Sequence, residues 1–168
     1  MEEIRNKVKE SGLISMDLAI FKPDKSQIIG IDIADQLWER LILKEKMFRE
    51  YIDSNDWSQF KGKYVHIFCS EDAIVPTWAY MLVSSKLVDV AKMVIVGNQI
   101  ALEKQLISNK IEVLDLSEFK DGRIIIKGCA DIVEPEYAMS QLIQKLQPVA
   151  KSIMYGEPCS TVPIFKRK

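Results

Sequence analysis

Two rhythms of apolar and polar positions divide this chain. From Lys63 onward, short β-rich runs alternate with longer stretches of helical period. Residues 64–68 (YVHIF) read as a strand and 77–91 as a helix. Residues 93–96 then read as a strand that leads through Gly97-Asn98 into a helix over 99–109. Residues 123–127 (RIIIK) lead through Gly128-Cys129 into a helix over about 136–146. Strands and helices of these lengths in alternation predict parallel βαβ units with right-handed crossovers.

The first third of the chain reads differently. Residues 2–11 form a short polar helical pattern ending at Gly12, a C-terminal stop. Residues 13–21 and 27–33 read as strands. The turn-forming run Lys22-Pro23-Asp24-Lys25-Ser26 between them predicts a β-hairpin. Over 34–52, Leu37, Trp38, Leu41, Phe48 and Ile52 fall along one side of a helix, with Trp38 as core. Ser54-Asn55-Asp56 ends that helix, and residues 111–119 show no decisive period. The fold expected is α/β: a mostly parallel sheet flanked by helices from about residue 63, preceded by an N-terminal hairpin and helix. No linker, repeat or low-complexity segment interrupts residues 1–168, so one domain is expected.

Composition narrows the function classes. Hydrophobic residues make up 48% and charged residues 28%, as in ordinary globular proteins. A net charge of −1 supplies no basic field for nucleic acid. No apolar run reaches the roughly 20 residues of a membrane span, and the charged N-terminus has no secretory apolar core. A cytoplasmic protein is expected, without nucleic-acid or membrane partners; a homo-oligomer is compatible with the sequence. No Walker or GxGxxG spacing occurs, so no nucleotide cofactor is indicated.

The candidate chemistry lies in the three cysteines, an odd count that favours reduced thiols over a disulfide framework. Cys69 and Cys129 each follow a predicted parallel strand, which places both on the edge where α/β sheets bind ligands. Cys159 lies past the last helix, so the tail would have to recross the molecule to join them. Pro148 could help by ending that helix early, and four or five extended residues reach about 15 Å. With Asp72 or Glu157 as a fourth ligand, Cys69, Cys129 and Cys159 would suit zinc or an iron–sulfur cluster. Against this stand the absence of any CxxC pair and the habit of free cysteine simply to pack. The loop settings of Cys129 and Cys159 favour exposed thiols instead.

A cysteine nucleophile is the other chemical reading. Cys69 sits at a strand-to-helix turn but lacks the glycines of a nucleophile elbow. His66, the single histidine, shares a strand face with Tyr64 and Phe68, whereas Cys69 points to the other. A Cys-His dyad is therefore geometrically poor, and His66 reads as structural. Thiolate or persulfide chemistry would need only a lowered pKa, which a helix N-terminus after Ser70 could supply. Glu71, Asp72, Asp131, Glu134 and Glu136 read as partners of helix N-termini.

Several runs carry a resemblance: Asp72-Ala73-Ile74-Val75-Pro76-Thr77-Trp78-Ala79-Tyr80-Met81, Lys127-Gly128-Cys129, and above all Tyr155-Gly156-Glu157-Pro158-Cys159-Ser160-Thr161-Val162-Pro163. Over its whole length the chain resembles a Bacteroidetes family catalogued as a domain of unknown function. Its members are often encoded beside the sulfur-mobilisation system for iron–sulfur cluster assembly. The resemblance implies an accessory factor in cluster assembly or sulfur handling, with iron–sulfur assembly proteins as partners and a shared three-cysteine site. The competing expectations are a ligand- or partner-binding module whose cysteines only pack, and a cysteine-dependent transferase or hydrolase.

Overall fold

The computed structural model describes residues 12–128 and 131–168. The predicted N-terminal helix and Cys129 lie outside the described residues. The chain divides into two compact units: unit 1 comprises residues 1–23 and 104–168, and unit 2 is the continuous segment 24–103.

Unit 2 is built on a three-stranded parallel sheet in the order β2 (Ile28–Asp32), β3 (Tyr64–Phe68), β4 (Met93–Val96). Two helices, α1 (Glu45–Ser54) and α2 (Thr77–Leu87), supply its crossovers. Phe48 and Ile52 of α1 and Ala79, Val83 and Leu87 of α2 are buried at helical spacing against Val65 and Ile67 of β3. The chain leaves unit 2 within α3 (Gln99–Glu112).

Unit 1 carries a four-stranded mixed sheet in the order β1 (Leu13–Asp17), β5 (Arg123–Lys127), β6 (Ser152–Glu157), β7 (Ser160–Lys166). β1, β5 and β6 are mutually parallel, and β7 returns antiparallel to β6. Ile124, Ile125 and Ile126 are all buried, which is why β5 reads as an unbroken apolar run: it is an inner parallel strand with both faces covered. Helix α4 (Pro135–Leu146) opens with Pro135 in its first turn and packs Ala138, Leu142 and Leu146 into the unit 1 core; Pro148 bars its continuation.

The fold is thus α/β, with parallel and antiparallel pairing and flanking helices. The N-terminal hairpin is a correction: β1 pairs with β5 and β2 with β3, in two different sheets. Aspartates explain the divergence. The Asp17 carboxylate accepts from the Ala19 N–H at 2.8 Å, and that of Asp24 accepts from the Ser26 N–H at 3.0 Å. Each opens a short 3-10 turn, so the first strand stops at Asp17 rather than Phe21.

The same device shortens the helix expected over 34–52. Asp32 caps a 3-10 turn, and Trp38 and Ile42 then pair across a tight turn with Glu39 and Arg40 in left-handed backbone (φ 51° and 59°). Only Glu45–Ser54 is helical. Trp38 is 41% exposed and Leu41 61%, so their helical spacing did not mark a core face.

Candidate functional site

The carboxyl-terminal edges of the two sheets are built in opposite ways. In unit 2, β2 ends at Asp32 and β3 runs into Cys69 and Ser70. One Asp32 oxygen accepts from the Ala34 N–H at 2.9 Å and the Ser70 N–H at 3.0 Å. Burial is the largest single influence on this carboxyl and would push its pKa up. The Ser70 hydroxyl, the two backbone N–H groups and the Arg40 charge together outweigh it and hold the pKa below the usual carboxylate range.

The Cys69 thiol, half-buried, donates to the Glu71 carbonyl at 3.5 Å. Glu71 in turn holds Arg40 through a 2.8 Å ion pair. Burial pushes the Tyr80 hydroxyl pKa up, reinforced by the neighbouring Cys69 and Asp32. This edge is a closed polar network in which the thiol neighbours a carboxylate and the nearby cation already has a partner.

His66, 7% exposed, stacks on Phe68 at 5.1 Å between ring centroids. Burial holds its pKa down, partly offset by the Gly97 backbone.

In unit 1 a cavity of about 360 Å³ opens beside the carboxyl end of β5, bounded also by Ile153, Met154 and Tyr155 of β6, by Ile164 of β7 and by α4. Pro135, Glu136, Met139 and Ile143 line it from the helix, and Met154 and Tyr155 from β6. The wall is predominantly apolar, and its size falls at the lower end of the range for small-molecule sites.

Three local devices shape the cavity. Gly128 lets the Tyr155 ring cross the strand end: a Cβ there would come within 2.5 Å of the tyrosine hydroxyl. A register shift between Ile153 and Met154 bulges β7, and Ile164 of that strand joins the lining. At the rim, Glu134 adopts left-handed backbone (φ 42°) immediately before α4, with its carboxylate held by Lys104 at 2.7 Å. Strained backbone of this kind concentrates at ligand sites.

The three-cysteine thiolate site is corrected. Cys69 follows β3 in the unit 2 sheet, whereas Cys159 occupies the exposed β6–β7 turn of the unit 1 sheet. Asp72 is exposed, and Glu157 pairs with Lys127 at 3.0 Å. Among the described residues, no three Cys, His, Asp or Glu side chains gather to hold a metal, against a zinc or iron–sulfur cofactor. The strands form two sheets rather than one, and strands of two sheets do not share an edge. Nor does any helix among the described residues have the length and apolarity to cross a membrane.

Sequence reasoning missed Met139, Tyr155 and Ile164 as lining residues. The run Ser152-Ile153-Met154-Tyr155-Gly156-Glu157, a Pro158-Cys159 turn and Ser160-Thr161-Val162 was a hairpin signal that could have placed them.

These features define an α/β protein with two strand-end edges, one closed by polar contacts and one open as an apolar pocket. The chain belongs to a family described as a protein of unknown function, DUF2480, whose model matches residues 2–167. No curated protein and no solved structure matches it significantly.

Proposed function

We propose that this protein is a binding module that takes a small, largely apolar ligand in the cavity of unit 1. The observation that carries this reading is the cavity itself. It has about 360 Å³ of mostly apolar space beside the carboxyl end of parallel strand β5, with a carboxylate and a tyrosine among the lining groups. Two adaptable thioethers, Met139 and Met154, suit a wall that moulds to its occupant. Cys69 serves packing and Cys159 the β6–β7 turn.

Titration with an uncharged fluorescent apolar probe, N-phenylnaphthylamine, tests the reading. One probe per chain should bind with a blue-shifted emission. Met139→Trp, which fills the cavity with an indole, should abolish binding while circular dichroism stays unchanged. Binding that survives this substitution would place the probe elsewhere and sink the proposal.

A further inference from the structure

We propose that the ligand of this pocket carries a cationic amine at its polar end, received by Glu136; this rests on the pocket reading above. Among the described residues lining the cavity, Glu136 alone carries charge. The neighbouring carboxylates are already engaged, Glu134 by Lys104 at 2.7 Å and Glu157 by Lys127 at 3.0 Å. Glu136 has no ion-pair partner among the described residues and stands in the first turn of α4. The cavity therefore has one carboxylate in its lining, that of exposed Glu136 in the first turn of α4, beside a mostly apolar wall.

An apolar body with a carboxylate or phosphate end would bring like charges together there, whereas an ammonium would gain a charge-assisted hydrogen bond. The Tyr155 ring lines the same cavity, and aromatic rings attract cations that reach their faces. A ligand bound through its hydrocarbon and selected by its head group divides affinity from specificity, as sites with few polar groups do.

The test is displacement of N-phenylnaphthylamine from the full chain by octylamine, octanol and octanoate, each below its aggregation concentration. Octylamine should compete about threefold to tenfold better than octanol, as expected for one partly exposed ion pair, and octanoate worse than either. In Glu136→Gln the amine and alcohol should become equal while octanol keeps its wild-type affinity. Raising the salt concentration should shrink the amine preference in the wild type only.

An amine that competes no better than the alcohol, or a preference that persists in Glu136→Gln, overturns the head-group assignment and leaves the pocket reading standing. Failure of all three compounds and of the probe overturns both.

Discussion

The two units solve one problem differently. Each ends parallel strands at an edge where backbone groups and strand-end side chains must be satisfied. Unit 2 satisfies them internally: Asp32 takes the Ala34 and Ser70 N–H groups, Cys69 the Glu71 carbonyl, and Glu71 the Arg40 side chain. Unit 1 covers β5 and β6 with α4, then extends its sheet by a hairpin strand, β7, beside the opening that the α4 side chains line. One edge is filled by its own polar groups, and the other leaves an apolar cavity. Sheet edge alone is therefore a poor guide to chemistry; what matters is whether local groups already fill it.

The largest effect that sharpens this contrast should come from the helices. Leu142→Ala in α4 and Leu87→Ala in α2 each empty a fully buried position and should each cost about 2–5 kcal/mol in urea unfolding. Only the first should also weaken probe binding in protein that is still folded. Equal loss of binding in Leu87→Ala would break the division of roles between the units.

Next in size is Gly156→Ala. Its φ of 119° suits glycine, and a Cβ would meet the Ser160 carbonyl oxygen at 2.5 Å. About 1–3 kcal/mol should be lost. The distortion should reach neighbouring Tyr155 and with it the cavity wall, read as weaker probe fluorescence.

Asp32→Ala comes third. It removes the acceptor of two N–H groups and should cost about 0.5–2 kcal/mol while leaving probe binding intact. Because the folded pKa of Asp32 lies below its unfolded value of about 3.9, its contribution is complete above that value. It is lost as pH falls through the lower folded pKa. Acid unfolding followed by tryptophan fluorescence should show this portion of the acid sensitivity absent from Asp32→Ala.

Smallest is Cys159→Ser, at an exposed turn, which should change stability by no more than about 0.5 kcal/mol. In the wild type, Cys159 should alkylate faster than half-buried Cys69, as peptide mapping after brief iodoacetamide treatment would show.

Much of the βαβ half was legible because its signals are local. YVHIF, MVIV and RIIIK are dense in β-branched residues and bounded by turn formers, and β3, β4 and β5 occupy those residues. Partner choice was not legible. Nothing local in Leu13–Asp17 says that its neighbour is Arg123–Lys127 rather than the strand just ahead. The helical stripe through Leu37, Trp38 and Leu41 misled because an Asp32 turn and two left-handed residues overrode a favourable period. The pocket was hidden for the same reason as the sheet order: its walls come from a helix and a hairpin that meet only once the strands are paired. The cysteines drew attention because thiols carry chemistry; among the described residues Cys69 and Cys159 belong to different units and neither joins a group that could hold a metal.

The pairing of β1 with β5 also has a consequence for biosynthesis. Leu13 lies opposite Arg123, and the whole of unit 2 is translated between them. As the chain emerges from the ribosome, residues 24–103 can close their own three-stranded sheet while β1, with apolar Ile14 and Met16, still lacks its partner. Closing so long a loop adds little to the equilibrium cost, because that cost grows only with the logarithm of length, but such distant pairing is slow. β1 is thus a strand kept waiting until residue 127 has cleared the exit tunnel. The cavity of unit 1, whose lining runs from Ile126 to Ile164, belongs to the segment that is made last.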